Sequence, residues 1–204
     1  MARDLPAGRP GGFDFTSHMR RLCEDLVARL PELSHIDTRR VAIGFAQTRR
    51  SSPYGQYATL RPLRFEGGNT ETTRRGRRWA IQRLVDPQGI EILYILTFYL
   101  PRFLNLPRGE KLPTVIHELW HISPQFDGDL RRFRGRCYAH SGSRKRYDAS
   151  MERLAEKYLA CNPPDEVLAF LEHDFAGLAA RYGRVYGQRI RAPKLIPLAE
   201  RPRP

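Results

Sequence analysis

The stretch Glu110-Lys111-Leu112-Pro113-Thr114-Val115-Ile116-His117-Glu118-Leu119-Trp120-His121-Ile122 decides the reading of this chain. Leu112, Val115, Ile116 and Leu119 recur at helical spacing, which predicts a helix over about 110–122 with that stripe in the core. Pro113 is tolerable in a first turn, and Pro124 stops the helix. On such a helix His117 and His121 lie one turn apart on one face, away from the apolar stripe. Both imidazoles can then reach one metal ion. Glu118 sits ~100° round the helix from His117, near enough to hold a water on that metal without being a ligand. This is an HExxH motif. Six histidines and twelve glutamates in 204 residues would give ~0.01 such matches by chance.

Imidazole nitrogens are borderline ligands and favour Zn2+, and a catalytic zinc takes three protein ligands plus water. His140, in Tyr138-Ala139-His140-Ser141, is the first candidate for the third ligand. Eighteen residues separate it from His121, and that segment is long enough and glycine-bearing enough to fold back. Asp127 and Asp129 on the intervening segment, and Glu152 and Glu156 on the next helix, are the alternatives. A zinc there would acidify water and polarise a carbonyl. Glu118 would take the water proton as general base and deliver it to the leaving amine. A second donor is needed for the oxyanion. Tyr138, Tyr147 and Arg136 lie in the right segment, and the sequence does not choose among them. His18, His35 and His173 are read as ordinary surface or helix residues.

Outward from this helix the patterns alternate between classes. A helix is expected over 16–30, with Met19, Leu22, Leu26 and Leu30 in period and Thr16 or Ser17 as cap. Strand signals follow at 41–45 and 57–65, where Pro62 indicates an edge or irregular strand. Residues 66–78 read as a loop. Residues 79–85 and 90–100 flank Asp86-Pro87-Gln88-Gly89, a hairpin signal, and the apolar second arm reads as a central strand buried on both faces. Residues 123–147 lack a period. Two helices are expected over 148–161, with Asp148 as cap, and over 165–182. The order gives an α+β fold: a small antiparallel or mixed sheet packed with the HExxH helix and flanking helices. One domain, 16–182, is expected between a loose N-terminal segment, 1–15, and a basic, proline-containing tail, 183–204.

Composition is globular, with 41% hydrophobic and 28% charged residues. The longest apolar stretch, 92–100, has nine residues, against the ~20 of a membrane-spanning helix. The first residues hold no apolar signal core, so a cytoplasmic location is expected. Cys23, Cys137 and Cys161 form no CxxC pair and fit reduced, packing thiols. The net charge of +13 comes from 31 Arg and 4 Lys against 22 acids. Residues 131–147 carry seven bases and no acid, residues 181–204 seven bases and one acid, and Arg74, Arg75, Arg77 and Arg78 precede Trp79. Such clusters could grip phosphates with Trp79, Tyr138 and Tyr147 stacking on bases, or could simply form a solvated basic face.

Residues 112–148, from the HExxH motif through Tyr138-Ala139-His140 to Asp148, resemble the phage metallopeptidase family, found in phages and bacterial genomes. The stretches 62–68 (Pro-Leu-Arg-Phe-Glu-Gly-Gly) and 96–103 (Leu-Thr-Phe-Tyr-Leu-Pro-Arg-Phe) resemble it too, so the likeness covers about 40–160. It implies a zincin fold and zinc-dependent hydrolysis, with no departure at His117, Glu118, His121 or His140. More distantly, the spacing is similar to SprT/Spartan-type proteases, which cut proteins bound to DNA, although this chain lacks the cysteine zinc ribbon of many of those. The expected function is a zinc metallopeptidase acting on protein or peptide substrates, with DNA-associated proteins as one substrate class. The alternatives are a DNA-binding or structural protein with a non-catalytic zinc, or a zinc hydrolase of a non-peptide amide.

Overall fold

The computed structural model of the protein describes residues 11–48, 55–132 and 144–199. The fold is α+β, built from β1 (Phe13–Asp14), α1 (Phe15–Arg29), β2 (Val41–Gln47), β3 (Ala58–Pro62), β4 (Glu71–Arg74), β5 (Arg77–Ile81), β6 (Tyr94–Leu100), α2 (Arg108–Trp120), α3 (Arg144–Ala160), α4 (Asp165–Leu168), α5 (Phe175–Tyr182), β7 (Val185–Tyr186) and β8 (Leu195–Pro197). No described helix is long and apolar enough to cross a membrane.

The central sheet has the order β2-β6-β3. Its middle strand, β6, is the apolar run that the sequence marks as buried on both faces, and Tyr94, Leu96, Phe98 and Leu100 are fully buried. The sheet is mixed. β2 lies parallel to β6, with Val41 opposite Tyr94, and β3 lies antiparallel, with Ala58 opposite Phe98 and Pro62 opposite Tyr94. Pro62 cannot donate to a ladder, and it sits at the end of an edge strand, where none is needed.

The turn at Asp86–Gly89 forms, with a bridge between Val85 and Glu91, but its arms do not stay paired. The chain before it belongs to a second sheet, β4-β5-β8, and the chain after it enters the central one. The expected loop 66–78 holds a turn of 3-10 helix, Glu66–Gly68, and the strand β4. Residues beyond Gly183 supply β7, parallel to β1, and β8, antiparallel to β5. They cross β2 at Gly44, where an added Cβ would come within 2.8 Å of the Gln188 carbonyl oxygen, and the Phe45 N–H donates to that oxygen at 2.9 Å.

Four local expectations are corrected. The cap of α1 is Asp14, which accepts from the Ser17 N–H at 3.2 Å, while Thr16 is buried and its hydroxyl accepts from the Gln188 N–H at 2.7 Å. Asp148 is interior to α3, which starts at Arg144. The helix expected over 165–182 is broken into α4, a 3-10 turn (Ala169–Glu172) and α5. The buried Lys111 ammonium donates to the carbonyls of Leu171 and His173 at 2.9 and 2.7 Å, replacing helical donors at the break, and Asp174 caps α5. Finally, Cys23 packs in the core, whereas Cys161 is exposed, and Cys137 lies outside the described residues.

α1 and α2 pack into one core with β6 and α3. Phe15, Met19, Leu22, Cys23 and Leu26 of α1 and Val115, Ile116 and Leu119 of α2 are at most 1% exposed. Each large apolar side chain so buried stabilises the fold by roughly 1.5–3 kcal/mol. α3 is tied to α1 near its C-terminal end. The Tyr158 hydroxyl donates to Asp25 and Lys157 donates to Glu32, each at 2.6 Å, and Arg29 donates to Asp25 and to the Cys161 carbonyl. These anchors fix the direction in which α3 runs back towards α2.

Candidate metal centre

α2 begins after Pro107 and carries Pro113 in its second turn, deeper than the first-turn position expected. Proline has no N–H, so the Gly109 carbonyl lacks its helical donor. Leu112, Val115, Ile116 and Leu119 face the core, as their spacing predicts. The end of the helix is closed by Arg131. Its backbone N–H donates to the His121 carbonyl and its side chain to the Trp120 carbonyl, both at 2.7 Å, with the guanidinium 4.1 Å from the centre of the Trp120 ring. Arg131 is one of the seven bases of the 131–147 cluster, and here it holds the C-terminal carbonyls of the HExxH helix. Arg132 is likewise engaged, by Asp129 at 2.9 Å.

His117 and His121 stand side by side on α2, their ring centres 4.7 Å apart and their planes at 78°. Tyr147, buried at the start of α3, packs on both. Its ring centre is 4.9 Å from that of His117, edge-on, and 6.1 Å from that of His121, nearly parallel at 19°. Burial pushes its phenol well above the ordinary tyrosine range, so the hydroxyl keeps its proton. Glu118 is 9% exposed. Its burial raises the carboxyl to about 7, opposed in part by the Leu60 backbone, whose N–H donates to it from β3.

His117 and Glu118 form part of the wall of a cleft of about 670 Å³. Tyr57 and Ala58 of the β3 side line it opposite Asp148 and Glu152 of α3. Of the third-ligand alternatives, Glu152 therefore reaches the same cleft, and Glu156, one turn on, is exposed. Asp129 is spent elsewhere. Its carboxylate accepts from the backbone N–H groups of Gly67 and Leu130 and from Arg132. Asp127 accepts from the Asp129 N–H at 3.1 Å. Their loop is fastened by the Tyr94 hydroxyl, which donates to the Asp129 carbonyl and accepts from the Gly128 N–H, both at 2.9 Å. His140, Tyr138 and Arg136 lie outside the described residues. Among the described residues no three His, Cys, Asp or Glu side chains converge as a metal site.

Residues 16–194 match the family model described as "Putative phage metallopeptidase". The chain belongs to the phage metallopeptidase family. No curated protein and no solved structure matches it. In this metallopeptidase relative the paired imidazoles suit a metal by donor type and spacing. Two imidazoles one turn apart are a donor pair that a metal can use, and His117 lies with the buried Glu118 at the wall of the cleft. Sequence reasoning missed the Leu60 N–H, Arg131 and Lys111. A backbone donor leaves no trace in residue type, and nothing local to Lys111 or Arg131 marks the distant carbonyls that each one holds.

Proposed function

We propose that the protein is a zinc-dependent metallopeptidase in which His117, His121 and His140 hold the metal and Glu118 is the general base. The observation that carries this reading is the side-by-side pair of imidazoles with the buried Glu118 carboxyl between them and β3. When bound, zinc supplies Lewis acidity, acidifying water and polarising a carbonyl. Glu118 accepts the proton of the attacking water and returns it to the leaving amine. In the metal-free chain burial holds this carboxyl above the ordinary range, and a carboxylate at this place can accept and return a proton. The Leu60 N–H fixes the carboxylate's orientation. Tyr147, with its proton held by burial, donates to the oxyanion that develops on the substrate carbonyl.

A peptide substrate is favoured over a non-peptide amide by the neighbouring strand. β3 pairs with β6 on one side, its Leu60 N–H meets Glu118, and Ala58 with the preceding Tyr57 lines the cleft. An extended polypeptide can lie along such an edge and use main-chain hydrogen bonds. The compartment we assign is the cytoplasm, where thiols such as Cys23 and Cys161 stay reduced. The test is zinc content by elemental mass spectrometry together with cleavage of a casein-derived peptide mixture. The expected result is about one zinc per chain and cleavage that disappears in Glu118→Gln while the zinc remains. Zinc retained with cleavage equal in both proteins would mean a structural metal and would overturn the reading.

A further inference from the structure

The β4–β5 hairpin is built against its own electrostatics. Its two-residue turn places Arg75 at φ 51° and Gly76 at φ 73°, so an arginine occupies a left-handed position that asparagine or glycine takes at lower cost. The register sets Arg74 directly opposite Arg77, a like-charge cross-strand pair of the kind that destabilises a hairpin. Strand alternation puts Thr72, Arg74, Arg77, Trp79, Ile81, Leu195 and Pro197 on one face of the β4-β5-β8 sheet, with no acid among them. The sheet's carboxylate, Glu71, pairs with Arg78 on the opposite face. Among the described residues no carboxylate pairs with Arg74, Arg75 or Arg77, and all three are exposed. Arg74 lies 6.0 Å from the Phe65 ring centre and Arg77 5.5 Å from that of Trp79. Arg74, Arg75, Arg77, Trp79 and Leu195 together line a concavity of about 460 Å³ with an apolar floor and a cationic rim.

We infer that this face binds single-stranded nucleic acid. The rim cations take backbone phosphates, and the floor takes an unpaired base against the Trp79 ring beside Arg77. A duplex keeps its bases stacked inside and would leave the apolar floor without an occupant. An acidic peptide would satisfy the rim alone. The bound strand supplies the negative charge that the Arg74–Arg77 pair lacks among the described residues.

The test uses the full chain and a fluorescein-labelled oligothymidylate of ~20 nucleotides, with binding read by anisotropy at ~0.15 M salt. Arg74→Ala/Arg77→Ala is compared with Arg21→Ala/Arg153→Ala, which removes the same charge from exposed positions on α1 and α3. The expected result is at least a ~10-fold loss for the hairpin pair, under ~2-fold for the control, and a salt slope shallower by about 1.4 in the hairpin pair alone. In a Trp120→Phe background Trp79 is the sole tryptophan, and its fluorescence falls as the strand binds. A uridylate of equal length separates RNA from DNA as the source, and a preference for either supports the inference. Equal losses in the two double variants, tighter binding of duplex than of single strand, displacement of the strand by poly-glutamate at equal charge, or no binding at all would overturn it.

Discussion

Replacing Glu118 by glutamine should make the metal-free protein more stable while removing its activity. Glu118 is 9% exposed, and burial raises its carboxyl from 4.5 to about 7 in the folded chain. A group whose folded pKa is raised favours folding in its protonated form. That contribution is complete below the unfolded value near 4.5 and is lost as pH rises through about 7. Above this window the native state carries a buried charge at a cost of about 3 kcal/mol. Glutamine has the same shape, keeps an oxygen to accept from the Leu60 N–H, and carries no charge. In EDTA, Glu118→Gln should therefore be more stable than the wild type by about 3 kcal/mol at pH ~8 and by less than ~1 kcal/mol at pH ~5. In a protein of this size the difference at the higher pH corresponds to roughly 6–12 °C in Tm. Urea unfolding followed by circular dichroism at the two pH values is the assay. Equal stability at pH ~8, or a gap of the same size at both pH values, would refute the burial argument.

Other outcomes follow from the same geometry. His121→Ala and His140→Ala should each bind zinc at least ~10-fold more weakly than the wild type by competition with a chromogenic chelator; unchanged affinity in His140→Ala would move the third ligand to Glu152, the alternative that lines the cleft. Tyr147→Phe, which keeps the ring against both imidazoles and removes only the hydroxyl, should lower kcat ~10–1000-fold with KM within a few-fold; a rise in KM at constant kcat would assign Tyr147 to ground-state binding. Asp14→Ala removes the cap of α1 and should cost about 1 kcal/mol, seen as a lower Tm by thermal circular dichroism; Ser17→Ala should cost less, because the Ser17 backbone N–H that Asp14 holds remains.

The parts of this protein legible from sequence are those whose signal is local and periodic. The apolar stripe of α2 fixed both its burial and the outward face of His117 and His121, because a 3.6-residue period admits one reading. β6 was legible for a related reason: a strand buried on both faces is apolar at nearly every position. Pairing was not legible. The Asp86–Gly89 turn dictates only its own φ and ψ angles, and whether the flanking chain continues as a hairpin depends on which edges are open. β5 finds β4 and β8, and β6 finds β2 and β3. The cap of α1 was misread because Asp14, Thr16 and Ser17 are all capping residues, and the choice fell to Gln188, which engages Thr16 from 172 residues away. The break before α5 was partly legible in Asp174, but its other cause, the Lys111 ammonium across the core, carries no sequence mark. Glu152 joined the cleft while Asp129 did not, because Arg132 and two backbone amides already occupy the Asp129 oxygens.

The clasp between distant segments has a kinetic consequence. β1 pairs with β7 across some 170 residues, and β5 waits more than a hundred residues for β8. A chain emerging from the ribosome will have made the HExxH helix and the central sheet while the edges of β1 and β5 are still bare. Contacts so far apart in sequence form late, and bare strand edges invite pairing with other chains. Synthesis through residue 197 is thus the step that closes both edges.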